Sequence, residues 1–299
     1  MNYQQNTHTL LVSVILIIAL FPIGSIAATL HAIIAGDTND PSIGESVQID
    51  VDNLQILVEN IHKYTGMALK TQVFQHNDLT KAAVEKAVAD LLVESEDAVI
   101  FYFSGHGYRH SNTRSPWPYL FMPPCDALDF SKVIIELKAK KPRFLLAISD
   151  SCNSVLDNYP SPLVGFIGED EELVAKSYQK LFLDYQGHIA SSAAGPGEIS
   201  YGFSVPKIGG LFTHTFLTAL ENSLSSSEPN WETIMKQSGS PINVRQIWPK
   251  APTDYQCPQY QLQLRDQAKP PIIVNTLDSQ PSECPQWTQP VSSCTPQVP

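Results

Sequence analysis

Residues 99–107 read VIFYFSGHG, and residues 144–153 read FLLAISDSCN. Each stretch is an apolar run that stops at a small polar cluster, and each cluster contains one reactive side chain, His106 or Cys152. Continuous apolar runs of this length predict strands buried on both faces, as in a parallel sheet. Binding sites in such sheets form outside the carboxyl ends of the strands. If the two strands are neighbours, His106 and Cys152 should face each other across a groove.

The rest of the chain alternates apolar runs with amphipathic segments, which predicts an α/β fold. We expect five strands, at residues 30–36, 67–74, 98–103, 143–149 and 187–192. We expect five helices, at residues 51–62, 81–93, 130–140, 169–183 and 210–223. Residues 108–126 are polar and rich in proline and are expected to form a loop. The pattern indicates a mostly parallel sheet that is covered by helices on both faces.

Composition divides the chain into three segments. The 299 residues are 43% apolar, which is enough for one sizeable core. From Pro241 onward 11 of 59 residues are proline, so this stretch is expected to be extended and partly irregular. We predict a signal peptide at 1–27, a globular domain at 28–240 and a C-terminal extension containing proline and cysteine at 241–299.

The first of these segments has the pattern of a targeting signal. The apolar run LLVSVILIIALF at 10–21 is followed by Pro22 and then by Ser25 and Ala27, at the −3 and −1 positions of a cleavage site. The run is shorter than the roughly 20 residues of a membrane span. No Lys or Arg precedes Lys63, which departs from the usual signal. We expect a periplasmic or secreted protein, attached to a membrane only if this segment stays uncleaved.

Charge and cysteine content narrow the partners and the compartment. The net charge of −11 and the lack of a basic run argue against a nucleic-acid partner. An odd number of cysteines leaves one unpaired if the others form disulfides. The cysteines are Cys125, Cys152, Cys257, Cys284 and Cys294. At least one disulfide in the extension fits an oxidising compartment, while five reduced thiols would fit a reducing one.

A thiol beside an imidazole is suited to nucleophilic catalysis. A free thiol is mostly protonated at neutral pH, and a neighbouring imidazole can take its proton and later protonate a leaving amine. Gly107 has no side chain to obstruct its N–H, which could bind the oxyanion of a tetrahedral intermediate. Two other interpretations stay open. Cys152 can be a small core residue, or Cys152 and His106 can be metal ligands, although no CxxC or HxxxH spacing occurs.

The order strand–SGHG, then strand–DSC, resembles the caspase-like cysteine peptidases, and most closely the metacaspase branch. Residues 36–54, 189–193 and 209–214 are also similar to that family, in the same order. The resemblance spans about residues 30–220. It implies that residues 28–240 form a peptidase domain with a three-layer α/β/α caspase-like fold. It also implies a cysteine endopeptidase with His106 and Cys152 as its catalytic dyad and peptides or proteins as substrates.

The resemblance further implies specificity for arginine or lysine on the acyl side of the cleaved bond. Metacaspases use acidic residues in the first specificity pocket, and the matching positions here are Asp150, Ser104 and Asp50. A carboxylate at the end of an apolar strand needs a partner, and a guanidinium suits it. The alternative is that Asp150 only accepts hydrogen bonds from loop N–H groups.

Two departures from the metacaspase pattern affect the interpretation. Metacaspases usually have His-Ser-Gly after the nucleophile, whereas this chain has Asn153 followed by Ser-Val, which leaves open an inactive protein that binds peptides or partners through the same groove. The acidic residues of the family's calcium site are only partly matched, by Asp126 and Asp129. We expect no cofactor and no other metal, with calcium left open, and a monomer.

Overall fold

The computed structural model describes residues 28–110, 113–153, 171–204, 207–266 and 270–276. The expected α/β/α fold with a mostly parallel sheet is confirmed. The strands are β1 (Thr29–Gly36), β2 (Ala68–Phe74), β3 (Ala98–Ser104), β4 (Gly107–Tyr108), β5 (Tyr119–Met122), β6 (Asp126–Asp129), β7 (Phe144–Asp150), β8 (Tyr185–Ser192), β9 (Gly202–Phe203), β10 (Gly209–Gly210), β11 (Ile242–Asn243), β12 (Tyr255–Gln256), β13 (Gln259–Asp266) and β14 (Ile272–Asn275). The helices are α1 (Gly44–Thr65), α2 (Lys81–Asp90), α3 (Phe130–Ala139), α4 (Glu171–Gln179, continued by a π-helical turn at Lys180–Asp184), α5 (Leu211–Leu224), α6 (Trp231–Ser238) and α7 (Val244–Ile247).

The central sheet has seven strands in the order β14-β13-β8-β7-β3-β1-β2. The five strands from β8 to β2 are parallel, and β13 runs antiparallel to both of its neighbours. The strands β3 and β7, which carry the two polar clusters, lie side by side at the centre of the sheet.

Helices cover both faces of the sheet. In β3 the side chains of Ala98, Ile100 and Tyr102 pack in one core with α1, α4, α5 and α6. The alternate residues Val99 and Phe101, with the rest of that face, pack in a second core with α2 and α3. Both faces of the strand are therefore buried, which explains why its sequence is a continuous apolar run rather than an alternating one.

Two elements differ from the prediction. The helix α1 begins at Gly44, seven residues before the predicted start. The prediction missed these first turns because the buried polar residues Ser46 and Asp50 interrupt the apolar period there. Residues 108–126 are not simply a loop, since β4, β5 and β6 form a small antiparallel sheet there. Strands of two to four residues are too short to show alternation in the sequence.

The central sheet extends past the domain boundary that the sequence predicts after residue 240. Strand β13 pairs with β8 along its whole length, so the folded domain continues well into the segment predicted as an appendage. Tyr260, Leu262 and Leu264 are buried, while the residues between them are more exposed. This period of two, QYQLQLRD, lies between prolines that suggested an irregular path.

Other predictions for the termini concern residues that the structure does not describe. The proposed signal at 1–27 lies outside the described residues. Within the described ranges, no helix has the length and apolar character needed to cross a membrane. Cys257 is disulfide-bonded, Cys125 and Cys152 are free, and the remaining two cysteines lie outside the described residues.

Candidate active site

The two polar clusters meet at the carboxyl edge of the sheet. Strands β3 and β7 are in parallel register with Ser104 opposite Asp150, and His106 and Cys152 each follow two residues later. A Cβ atom on Gly107 would lie 2.3 Å from the carbonyl oxygen of Cys152, so only glycine allows the two chain segments to approach so closely. His106 and Cys152 line one pocket, and Gly107 packs behind it.

The Cys152 thiol is covered by a neighbouring loop. Its Sγ lies 3.4 Å from both the N and the O atoms of Ser200, and the residue is only 7% exposed. Burial raises the pKa of the thiol to about 11, although the Ser200 N–H acts in the opposite direction. In this conformation the sulfur is therefore protonated at neutral pH and in contact with the Ser200 backbone.

Asn153, which departs from the metacaspase pattern, is completely buried and anchors the loops around the nucleophile. Its Oδ1 accepts from the Arg109 guanidinium at 3.1 Å, and its Nδ2 donates to the carbonyls of Pro116 and Ala194. Its N–H donates to the Glu198 carbonyl at 2.9 Å. The residue links the flanking loops, and both the oxygen and the NH₂ group of its side-chain amide have hydrogen-bond partners.

The His106 imidazole contacts a carboxylate on its far side. Its Nε2 lies 3.1 Å from Asp40 Oδ2, and the two side chains are 14% and 17% exposed. The other oxygen, Oδ1, accepts from Ser42 N at 2.8 Å, Ser42 Oγ at 2.5 Å and Ile43 N at 3.0 Å. Burial alone would raise the pKa of Asp40, but the bonds to His106 and Ser42 outweigh it and hold the pKa below its usual range.

Two buried carboxylates lie at the other end of the same pocket. Asp150 is 5% exposed and Asp50 is 1% exposed. Asp150 accepts from Ser200 Oγ at 2.7 Å through Oδ1, and from Thr213 N at 2.8 Å and Thr213 Oγ1 at 2.7 Å through Oδ2. Asp50 accepts from Ser104 Oγ at 2.6 Å and from Gly210 N at 2.8 Å. Every one of these donors is a hydroxyl or a backbone N–H, so the hydrogen bonds bring no positive charge to the pair.

The first turn of α5 holds the two carboxylates together. A Cβ atom on Gly210 would lie 2.1 Å from Asp150 Oδ2 and 2.9 Å from Asp50 Oδ2, so the missing side chain makes room for both oxygens. The N–H groups of Gly210 and Thr213 at this helix start point at the carboxylates, where the helix dipole favours negative charge.

Burial nevertheless raises the pKa of both acids. For Asp150 burial is the dominant cause, and the bonds from Ser200 and Thr213 offset only part of it. For Asp50 burial is again the largest cause, and the charge of Asp150 raises the pKa further. Two like charges in one buried site cannot both ionise easily, so a bound cation would be strongly stabilised there.

The two acidic residues that partly match the family's calcium site have other partners. Asp126 forms an ion pair with Lys81 at 3.2 Å, and Asp129 caps α3 through the Ser131 N–H at 2.9 Å. Among the described residues, no group of three or more His, Cys, Asp or Glu side chains could hold a metal ion.

The structure thus brings five of the six predicted site residues, all except Gly107, into the lining of one pocket. Sequence reasoning missed Asp40, Ser200 and Thr213. Asp40 had a detectable signal, because it follows β1, whose last residue pairs with Ser104 at the same sheet edge. Ser200 had a weaker signal of the same kind, because its loop follows β8, which ends beside β7 at the same sheet edge, but it lies further from the strand end.

The chain combines a parallel sheet between helices with a thiol and an imidazole at the carboxyl edge of that sheet. These features are typical of cysteine-peptidase-like proteins, and the chain falls in that class. The family model of the caspase domain matches residues 37–268, and the chain belongs to this family. Among solved structures, protein GSU0716 from Geobacter sulfurreducens aligns at 15% identity with a TM-score of 0.45, over 78% of this chain and 92% of that one. No curated protein matches the chain.

Proposed function

We propose that this chain is a cysteine endopeptidase of the metacaspase type that cleaves after arginine or lysine. The observation that carries the proposal is the buried pair Asp50 and Asp150, which shares a pocket with Cys152 and His106. The caspase-domain family supplies the reaction class, and the charge of the pocket supplies the preference for a cation.

The acidic pair favours arginine for geometric and electrostatic reasons. A guanidinium carries five N–H donors in a planar fork and stays ionised at every relevant pH. Asp50 and Asp150 lack a charged hydrogen-bond donor in the described structure, so a substrate cation would provide the missing charge. A substrate aspartate would instead add a third negative charge to the same buried site, which argues against cleavage after acidic residues.

The proposed reaction uses the two groups that line the pocket, Cys152 and His106. His106 takes the proton from Cys152 Sγ, and the thiolate attacks the carbonyl carbon of the peptide bond. The N–H groups of Gly107 and Cys152 are our candidates for stabilising the oxyanion. The imidazolium then protonates the amine as the C–N bond breaks. Water attacks the thioester, a proton passes back through His106, and the acid product and thiol are released.

Substrate binding is expected to open the site. The Ser200 hydroxyl occupies one oxygen of Asp150, and the Ser200 backbone covers the thiol, so a single residue blocks both the specificity pocket and the nucleophile. A guanidinium that binds Asp150 competes directly with the Ser200 hydroxyl. Occupation of the pocket by a cation and exposure of the sulfur would then be coupled.

A second candidate is a protein that binds basic peptides without cleaving them. The observation that favours it is the protonated, covered thiol of Cys152, whose pKa is raised to about 11. An assay with a fluorogenic arginine peptide and its citrulline analogue separates the two candidates. Turnover of the arginine peptide that is lost in Cys152→Ala supports the peptidase. Arginine-selective binding without turnover supports the binding protein, and no arginine preference in either measurement rejects both.

We also propose export through the segment 1–27, a monomeric state and no requirement for a metal. N-terminal sequencing of protein recovered outside the cytoplasm would show cleavage after Ala27. Sedimentation would report the oligomeric state, and activity with and without a chelator and added calcium would report a requirement for that ion. An uncleaved N-terminus, a stable oligomer or calcium dependence would each contradict the corresponding proposal.

A further inference from the structure

We infer that Asp40 is a positioning residue of the catalytic centre, which fixes the tautomer and orientation of the His106 ring and so converts the dyad into a Cys–His–Asp arrangement. The inference rests on the proposed peptidase function and extends it. It starts from the contact of 3.1 Å between Asp40 Oδ2 and His106 Nε2.

The contact dictates which ring nitrogen is the base. An ionised carboxylate can only accept hydrogen bonds, so the Nε2 atom that faces Asp40 must carry the proton. In the neutral ring the other nitrogen, Nδ1, is then unprotonated and free to take the proton of the Cys152 thiol. After that transfer the ring is a cation, and the same carboxylate stabilises it.

The carboxylate is held so that only one oxygen is available for the histidine. Three donors from Ser42 and Ile43 saturate Oδ1 and orient the Asp40 side chain. Oδ2 is thereby directed at the imidazole. These local hydrogen bonds fix the carboxylate independently of the histidine.

The loop that carries Asp40 is anchored to the strand that leads to His106. The N–H of Asp37 donates to the Ser104 carbonyl of β3 at 3.1 Å, and the Gly44 N–H donates to the Asp40 carbonyl at 2.9 Å. Carboxylate and imidazole are therefore built on one rigid edge, which is what precise positioning of a base requires.

Other titratable groups lie close to this contact. Asp37 is buried, and burial and the charge of Asp40 raise its pKa to about 6, while His106 acts in the opposite direction. His76 contacts the loop through Thr38 and Asn39. Asp37 forms no hydrogen bond to the His106 ring, so Asp37→Asn removes a nearby negative charge but keeps the hydrogen bond to Asp40 and separates the two effects.

The substitution Asp40→Asn gives a specific expectation. Because Oδ1 is surrounded by donors, the amide oxygen should take the Oδ1 position and the NH₂ group should face Nε2. An amide donor at that position favours the opposite tautomer, with Nε2 accepting and Nδ1 protonated. The near-isosteric variant keeps the turn but blocks the base, so kcat should fall by about 10²–10⁴-fold.

The experiment compares wild type, Asp40→Asn, Asp37→Asn and the surface control Asp52→Asn on an arginine peptide, with ¹⁵N NMR of the His106 ring assigned by its loss in His106→Gln. We expect a fall in kcat with little change in KM for Asp40→Asn alone. In the spectra, neutral His106 should be protonated on Nε2 in wild type and on Nδ1 in Asp40→Asn.

The outcomes separate this inference from the proposed function. An active wild type with kcat of Asp40→Asn within about threefold of it overturns the role of Asp40 and leaves the peptidase intact. A wild type that cleaves nothing rejects the peptidase, while the NMR comparison still tests the tautomer. Protonation on Nδ1 in wild type overturns the inference by itself, even if Asp40→Asn does not fold.

Discussion

The buried pair Asp50 and Asp150 in the pocket allows one negative charge to be removed while most hydrogen bonds of the site are kept. In Asp150→Asn the amide oxygen can keep both bonds from Thr213, and the NH₂ group can donate to the Ser200 hydroxyl, which is able to accept. The substitution is near-isosteric, and the one donor that loses its acceptor is the Ser200 hydroxyl. We therefore expect it to change the recognition of a cation much more than the fold.

The expected magnitude follows from the lost ion pair. A hydrogen bond to a charged group contributes about 1.5–3 kcal/mol, and a guanidinium would make two with Asp150. Asp50 stays in the pocket and retains part of the attraction. We estimate a loss of about 3–4 kcal/mol of binding, which corresponds to a rise of about 10²–10³-fold in KM for arginine peptides.

The substitution Asp150→Asn should weaken cation binding without lowering the free energy of unfolding. Burial raises the pKa of both acids in the folded state, so ionisation of the pair lowers the free energy of unfolding as the pH rises above the pKa values of the unfolded chain. Replacing one acid by an amide removes part of that cost. The melting temperature of Asp150→Asn at pH 7 should equal or exceed that of wild type.

The assay is kcat/KM for matched arginine and citrulline peptides between pH 5 and pH 8, together with thermal unfolding. Wild type should prefer arginine more strongly as the pH rises, since the pair must ionise to bind the cation. Asp150→Asn should lose most of the preference, and Asp52→Asn on the exposed side of α1 should behave as wild type. A variant that keeps the arginine preference within threefold, or loses activity and stability in parallel, would refute this reasoning.

Three further predictions concern the nucleophile, the C-terminal strands and a buried acid. Without substrate, iodoacetamide should alkylate the covered Cys152 about 10²-fold more slowly at pH 8 than the exposed Cys125, measured by mass spectrometry, and comparable rates would contradict the raised pKa of about 11. Truncation after residue 240 removes three buried side chains of β13, about 5–9 kcal/mol, and should give no folded protein. Truncation after residue 269 also removes the two remaining cysteines, so it is made together with Cys257→Ser; of the described residues it takes only 270–276 with the half-exposed β14, and it should leave a folded protein. Equal melting temperatures of the two truncated proteins would count against both halves of this expectation. Burial raises the pKa of Glu198 to about 7, so its ionisation lowers the free energy of unfolding as the pH rises from about 5 to above 7. At pH 8 the free energy of unfolding of Glu198→Gln should exceed that of wild type by on the order of 2 kcal/mol. A lower value for the variant at pH 8 would show that the carboxylate is needed there.

The parts of the fold that are predictable from sequence are those in which one interaction dominates. The strands β3 and β7 are recognisable because burial on both faces makes their residues uniformly apolar. The start of α2 is recognisable because Thr80 caps it, through a bond from the Ala83 N–H. The sheet edge that holds His106 and Cys152 follows from the geometry of neighbouring parallel strands.

The remaining features depend on contacts between distant segments, which a local pattern cannot reveal. Strand β13 was hidden because flanking prolines outweighed a short alternation, and only its pairing with β8 makes it a strand. Ser200 reaches Cys152 through a loop 48 positions further along the chain. The burial of Asp50 in α1 weakened the helical pattern because a polar residue stands there on the buried face of the helix.

The contact between Ser200 and Cys152 also has a chemical consequence for the resting protein. Oxidants and disulfides react with thiolates that they can reach, and this sulfur is both protonated and covered. The same molecule carries a disulfide at Cys257, two residues before β13. Gln256, which precedes Cys257, donates to the Ser200 hydroxyl at 3.3 Å, so the disulfide lies close to this loop along the chain. While the Ser200 contact is closed, the loop is expected to shield the sulfur from exchange with that disulfide.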